Sequence, residues 1–529
     1  MGLALIEFGP IELVLGLFVV IVALAYLARR VGVAYPILLV AGGLVLGYLP
    51  GLPKIELEPD VVFLLFLPPI LFGAGFTTPI RDFKANARPI ALLAIGLTLF
   101  TTIVVGLVVY ALVPSIGWFP AFALGAIVAP PDAVAATAIF RRIGAPKRVV
   151  TILEGESLIN DAAALIAYRF AIAAAATGLF SIAEAGLAFV VVGLGGIVVG
   201  VVVGGLITVA WRRTGDPILE IMVSLLAPFA AYLPAEALGV SGVLAVVVAG
   251  LIAGRGSARS LSADARVMGR SVWAIVTFMI NGFAFILIGL QLPSILSRLT
   301  SWTGGQLLTL GLAVSLTVIL ARIVWVFPAT YLPRLLSARV RARDPSPPPK
   351  AVFVVSWAGM RGAVSLAAAL ALPLDPVHFP QRDLMIFLAF CVIIATLVGQ
   401  GLTLPGLVRR LGIVSTTGQD AEEAQARQAA VDAALLRLSE LTEEYPGHVE
   451  LVDQLKARYD HEAAHIWPHT DGTHDEEEQE ALDHLAIRSA VLDAEREAVI
   501  RLRDEGVIGD EALHNIERDL DLEELRTGV

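Results

Sequence analysis

Charge is scarce in this chain. Asp, Glu, Lys and Arg make up 16% of 529 residues, against ~25% in globular proteins, too little polar surface to cover a soluble body of this size. Cysteine is almost missing. The single Cys391 excludes an intrachain disulfide and a thiolate metal cluster. No basic residue precedes Arg29, so the first apolar stretch lacks the positive flank of a cleaved signal and reads as a retained membrane helix. What fills the sequence is apolar: 57% hydrophobic residues and a mean hydropathy of +0.79, where soluble domains average ~45–50%. This composition is that of an all-α polytopic membrane protein.

The charges divide sharply along the chain. Residues 1–414 hold 28 basic and 18 acidic side chains, a net of +10, whereas residues 415–529 hold 10 and 30, a net of −20. A transmembrane domain over 1–414 is therefore expected to be followed by an acidic, soluble, regulatory tail over 415–529; nothing in either half suggests nucleic-acid binding.

A helix needs ~20 apolar residues to cross the hydrocarbon core. Runs of this kind, bounded by charge, Gly and Pro, lie near 11–28, 35–49, 60–77, 87–113, 118–140, 149–175, 183–210, 217–235, 239–254, 267–290, 305–332, 350–373 and 383–408. These thirteen segments give alternating loops of unequal charge. One set carries 22 Lys and Arg, including Arg29/Arg30, Arg141/Arg142 and Arg409/Arg410; the other holds only Lys54, Arg298 and Arg382. Basic loops stay in the cytoplasm. The expected placement is the cell (inner) membrane, with the N-terminus outside and the tail inside.

Ionisable groups within a bilayer cost a few kcal/mol each and mark ion or proton pathways. Here they cluster in two stretches. Ala129-Pro130-Pro131-Asp132-Ala133 interrupts the fifth span, and the sixth opens with Glu154-Gly155-Glu156-Ser157-Leu158-Ile159-Asn160-Asp161. Ser157 and Asp161, four apart, share a helix face, and Glu154 roughly aligns with them; Glu156 and Asn160 form the adjacent stripe. Carboxylate, hydroxyl and amide offer hard oxygen ligands, suited to Na⁺, K⁺ or H⁺ rather than a transition metal. Two consecutive prolines remove two backbone donors, so the helix is expected to break there, freeing carbonyls that can face an ion.

The twelfth span has an analogous weak point at Gly359-Met360-Arg361-Gly362. Fifth and twelfth occupy corresponding places if spans 1–6 and 8–13 are inverted repeats, and paired interrupted helices point to a transporter site near the midplane. Crossed half-helices bring like dipole ends together; Asp132 would neutralise one pair and Arg361 the other. Arg322, in the eleventh span, needs a buried anion, and Glu156 or Glu154 is the expected partner. Glu154, Glu156, Arg322 and Arg361 are read as structural charges, Glu220 and Arg169 as interfacial or packing charges.

At these residues the sequence resembles monovalent cation:proton antiporters of the sodium/proton exchanger class, bacterial type. Glu156-Ser157-Leu158-Ile159-Asn160-Asp161 matches the family's Glu-Ser-Leu-x-Asn-Asp pattern. Asp132 stands 24 residues before Glu156, as in the family's Asp-containing break, and Gly359-Met360-Arg361-Gly362 matches its Gly-x-Arg-Gly. The resemblance covers roughly 11–412. It implies an antiporter fold of thirteen helices with inverted repeats, a homodimer, and secondary antiport of Na⁺ (or K⁺ or Li⁺) against H⁺, electroneutral for an Asn-Asp pair. Carried over, Asp161 is the carboxylate shared by cation and proton, Ser157 a cation ligand and Asn160 an orienter. Two departures stand out: Pro131 and Ala133 replace the usual Thr and Pro around Asp132, and Gly73 stands where many relatives carry an acid. No cofactor is implied. Rival readings are a cation channel or a transport-inactive sensor signalling through the tail.

The tail holds seven of the eight histidines. His461-Glu462-Ala463-Ala464-His465 matches the zinc-protease pattern of two histidines one turn apart with an activating Glu. A tail this rich in His and Glu produces such a match by chance roughly once in fifteen cases, and no Gly-x-x-His continuation follows. It is read as helix surface rather than as a metal site, with a metal- or pH-sensing regulator and a protease as the alternatives. Helices are expected from a cap at Asp420/Glu423 and from near Asp475 to a stop at Gly506.

Overall fold

A computed structural model describes residues 10–49, 64–413, 418–464, 474–507 and 510–527. Every element among them is helical. Contacts divide the chain into two units, Met1–Thr416 and Thr417–Val529.

In the first unit the described helices of eight residues or more are α1 (Pro10–Val31), α2 (Tyr35–Gly47), α3 (Leu67–Thr77), α4 (Ala87–Leu112), α5 (Trp118–Val128), α6 (Ala133–Arg142) and α7 (Lys147–Thr177). They continue with α8 (Ile182–Thr214), α9 (Pro217–Ala237), α10 (Gly242–Ser260), α11 (Ala263–Arg298), α12 (Gly304–Leu336), α13 (Pro349–Trp357), α14 (Ala363–Leu370) and α15 (Arg382–Leu411). Helices overlap these apolar segments, and two of the segments, 118–140 and 350–373, are each divided between two helices. Ten helical stretches among the described residues are long and apolar enough to cross a membrane, counting α5 and α6 as one. The others are α2 and α3, with 13 and 11 helical residues, and the interrupted pair α13/α14.

Membrane helices associate through close packing of small residues, because lipid is as apolar as leucine. Gly196, Gly200 and Gly204 lie four apart on α8, and a methyl group at any of them would run into α10 at Ser241, Ala245 or Ala249. Gly43 and Gly289 do the same for α2 and α11, each facing the other's backbone. The opposite side of α8 exposes Leu187, Val190, Val191, Leu194 and Val198, the apolar surface expected to meet lipid.

Two apolar cores result. One joins α2 and α11 to α4–α7 and α12–α15; the other joins α3 to α8–α10 and, from α7, includes Leu158 and Ala162. Helix α7, which carries the Glu-Ser-Leu-x-Asn-Asp run, thus contributes to both.

The second unit contains α16 (Gly418–Glu444), α17 (Val449–Ala464), α18 (His474–Asp504) and α19 (Asp510–Thr527). Helix α16 starts two residues before Asp420, and α18 stops before Gly506, whose φ of 72° is the left-handed stop that glycine accepts without strain. Arg496 on α18 bridges Asp521 and Glu524 on α19 at 2.8 and 2.7 Å. The His461–His465 pattern runs beyond the described residues at His465.

Candidate ion-binding site

The fifth span breaks where its two prolines stand. Helix α5 ends at Val128, the chain leaves the helix over residues 129–132 and is extended at Asp132, and α6 begins at Ala133 with Asp132 as its N-cap, its Oδ1 accepting from the Val134 amide at 2.8 Å. The twelfth span breaks at Ala358–Gly362 between α13 and α14. The two breaks touch: the Asp132 amide donates to the Met360 carbonyl at 2.7 Å.

Charges at the crossing follow the helix dipoles. Asp132 caps the start of α6 and lies against Gly362, the residue before α14, so closely that a methyl group there would collide with its carboxylate. One carboxylate therefore faces two positive helix ends. Arg361 serves the two negative ends. Its Nε donates to Val128 O at 3.0 Å and its Nη2 to Ala129 O at 3.3 Å, at the end of α5, while Nη1 donates to Gly359 O beyond α13. Arg361 is fully buried, and these carbonyls are the compensation that a buried guanidinium requires.

Helix α7 closes the site. The Asn160 amide donates to Pro131 O at 2.9 Å, holding the broken backbone, while its Oδ1 is buried with no donor among the described residues. Ser157 Oγ accepts from the Ala133 amide at 3.3 Å. One turn further, Asp161 is buried and close enough to feel the charge of Asp132. No hydrogen bond reaches the Asp161 carboxylate from any described residue. Asp161, Asn160, Ser157 and Asp132 thus gather at one place, offering carboxylate, amide and hydroxyl oxygens.

The other charges lie around it. Arg322 on α12 makes a two-pronged pair with Glu156, Nη1 to Oε1 at 2.5 Å and Nη2 to Oε2 at 2.8 Å, and also donates to Val355 O. Glu154 points elsewhere, to Arg141 at 3.0 Å. Glu220 is buried and accepts from the amide and hydroxyl of Ser262, and Arg169 pairs with Glu236 at 2.8 Å. Gly73 packs against the indole of Trp273 and the hydroxyl of Thr277, so a larger side chain there would have to displace them. Among the described residues no three His, Cys, Asp or Glu side chains are grouped to hold a metal ion.

Sequence reasoning overlooked Thr396. The Arg361 amide donates to its Oγ1 at 3.1 Å, and its hydroxyl donates to Val392 O at 2.7 Å. Thr396 is the second residue of a π-helical stretch, Ala395–Gln400, whose last residue is a buried glutamine with neither amide atom partnered by any described residue. A threonine and a glutamine four apart in an apolar span were the available signal. A second π-helical stretch, Leu92–Leu97 in α4, leaves Leu92 O to accept from the Trp325 indole at 3.0 Å. Such bulges occur often at functional sites.

Comparison with known proteins converges on one description. Residues 16–410 match the family model for the sodium/hydrogen exchanger transmembrane region. An uncharacterized Na⁺/H⁺ exchanger of Mycobacterium tuberculosis is 36% identical over 98% of this chain and 97% of its own length. The sodium, potassium, lithium and rubidium/H⁺ antiporter of Bacillus subtilis is 35% identical over 75% of this chain and 61% of its own. The solved sodium proton antiporter MjNhaP1 from Methanocaldococcus jannaschii superposes with a TM-score of 0.60 at 21% identity, over 76% of this chain and 98% of that one. That last likeness is one of fold.

Proposed function

The chain belongs to the sodium/hydrogen exchanger family, a family of cation/proton antiporters and not of enzymes, and from that premise we propose that it exchanges Na⁺, or K⁺ or Li⁺, for H⁺ by electroneutral alternating access, with both ions competing for Asp161. One observation carries this reading. Glu156, Arg322 and Arg361 are buried and each is met by an opposite charge or by carbonyls, whereas Asp161 is buried and no hydrogen bond compensates it. An uncompensated carboxylate in a low-dielectric site must bind a cation or a proton. Asn160 Oδ1 and the Ser157 hydroxyl supply further oxygens for a desolvated monovalent ion, and Asp132 adds negative potential beside it.

Occupancy by one ion excludes the other, so each crossing exchanges one cation for one proton and moves no net charge. Competition also sets the pH response: acid raises the apparent KM for the cation without a separate sensor. The broken-helix core moves against its surroundings to expose the site alternately to either side. The molecule spans the inner membrane thirteen times as a homodimer, with the N-terminus outside and the acidic tail in the cytoplasm regulating exchange.

The test is reconstitution in liposomes, with proton movement followed on addition of Na⁺, K⁺ or Li⁺ at several pH values. The expected result is exchange that is unaltered when the membrane potential is clamped and absent in Asp161→Asn. Cation flux without counter-movement of protons would identify a channel.

A further inference from the structure

Three arginines from three helices converge on one carboxylate at the end of the bundle that carries the basic loops. Arg88 at the start of α4 donates to Asp344 Oδ2 at 3.2 Å, Arg148 at the start of α7 to Oδ1 at 2.5 Å, and Arg334 at the end of α12 to Oδ2 at 2.6 Å. Asp344 lies in the connection between α12 and α13. Burial alone would raise its carboxyl, but the hydrogen bonds from Arg148 and Arg334 override this and hold it below its ordinary value. The carboxylate is therefore charged at neutral pH, and the cluster has a formal surplus of two positive charges.

The donors are unevenly used. Arg334 is engaged throughout, with Nε on Asp344 O at 3.1 Å and Nη1 on Thr330 O. Arg148 gives its Nε to Asn86 Oδ1 at 3.0 Å. Among the described residues, Nη1 of Arg148 and both Nε and Nη1 of Arg88 find no acceptor, and Arg88 Nε is buried. Beside them opens a cavity of about 550 Å³, within the range of ligand-sized pockets. Its walls include Leu92, Leu93, Val149, Ile152, Val326 and Val352, and among the described residues its charged lining is these three arginines.

We propose that this cavity binds an anionic membrane phospholipid, with the phosphate on the unused donors of Arg88 and Arg148 and part of an acyl chain in the apolar chamber. Guanidinium forks match phosphate oxygens, and anionic lipid is drawn to basic clusters at the membrane surface. A zwitterionic lipid would leave the charge surplus unmatched, and a free phosphate would leave the chamber unused. The bound lipid would tie together the ends of α4, α7 and α12, two of which carry Asp161 and Arg322. The inference does not depend on which cation is exchanged, because its test measures binding.

Full-length protein stripped of lipid is titrated with phosphatidylglycerol, or with phosphatidylcholine of the same acyl chains, and followed by native mass spectrometry. One site per chain is expected to prefer phosphatidylglycerol by at least about tenfold. Arg88→Gln with Arg148→Gln should remove that preference. Arg148→Gln alone, on the more exposed side chain, should reduce it if the double variant folds poorly. Ala329→Phe, which fills the chamber and keeps every arginine, should weaken phosphatidylglycerol binding as well. Equal retention of both lipids by the wild type would overturn the proposal. So would unchanged binding in Ala329→Phe, or full displacement of the lipid by millimolar inorganic phosphate.

Discussion

Arg322→Ala is expected to destabilise the membrane unit by about 3–5 kcal/mol, the usual cost of breaking a buried ion pair by removing one partner. The geometry leads to the same figure. Arg322 and Glu156 are 0% and 1% exposed, and two charge-assisted hydrogen bonds join them at 2.5 and 2.8 Å. At ~1.5–3 kcal/mol for each such bond, two give about 3–6 kcal/mol. Val355 O loses a donor as well. A comparison lies two residues away on the same helix. Glu154 pairs with Arg141 at 3.0 Å, but Arg141 is 71% exposed, so that pair contributes ~0–1 kcal/mol, and Arg141→Ala should lie within that range. The assay is reversible unfolding of detergent-solubilised protein by denaturant, with size-exclusion after heating as a second readout. Adding Glu156→Gln to Arg322→Ala removes the stranded charge and should recover part of the loss. Two results would refute the reasoning: Arg322→Ala as stable as Arg141→Ala, or rescue by Glu154→Gln and not by Glu156→Gln.

Asp161→Asn keeps the side-chain volume and removes the titratable group, so exchange in liposomes should vanish while size-exclusion behaviour stays normal; near-normal exchange in a folded variant would falsify the competition mechanism. Gly362→Ala places a methyl group in the Asp132 carboxylate and is expected to slow exchange by at least about tenfold, a barrier change of roughly 1.4 kcal/mol, whereas Gly205→Ala, with open space around it, should match the wild type. Thr396→Val removes the acceptor of the Arg361 amide and should slow exchange and lower stability by about 1–3 kcal/mol, as for a buried donor left unmatched. Ending the chain after about residue 414 should leave exchange intact but shift its pH profile at low salt, since the lost segment carries a net charge of −20 and seven of the eight histidines; a profile identical with and without the tail would exclude regulation by it.

The parts of this molecule that were legible in the sequence are those written in consecutive residues. Apolar runs mark the helices, Pro130-Pro131 marks the first break, and Gly359 to Gly362 marks the second. What stayed hidden depends on how helices rotate against one another. Glu154 and Glu156 are both plausible partners for Arg322 when only α7 is read. At 100° per residue they point to nearly opposite sides, and which side meets α12 is decided by packing elsewhere. Thr396 had the same difficulty, since it acts through the Arg361 amide, a backbone group with no signature of its own. The π-helical stretches at 92–97 and 395–400 were illegible for a further reason. They arise where one extra residue fits between tertiary contacts, such as the Trp325 indole on Leu92 O, and local sequence does not encode the misfit.

The distribution of charge at the crossing has a consequence for how the site moves. Asp132 is fixed by the Val134 amide and by its own amide on Met360 O, and Arg361 by carbonyls of both breaks. Each link joins one interrupted helix to itself or to the other. Asn160 then ties α7 to the first break through Pro131 O, and Glu156 ties α7 to α12. None of these bonds uses the Asp161 carboxylate. On the proposed mechanism, binding or losing an ion at Asp161 changes the net charge of the assembly without breaking a bond that holds it together. A site built this way would keep its internal geometry in both loaded states, and the proposed motion that exposes it to either side would fall to the surfaces around it. On α7 that surface includes Leu158 and Ala162, which pack into the apolar core of α3 and α8–α10, together with the Arg169–Glu236 pair to α9, whose side chains are 54% and 29% exposed; apolar contacts can slide, and a pair so exposed opposes that motion by only ~0–1 kcal/mol.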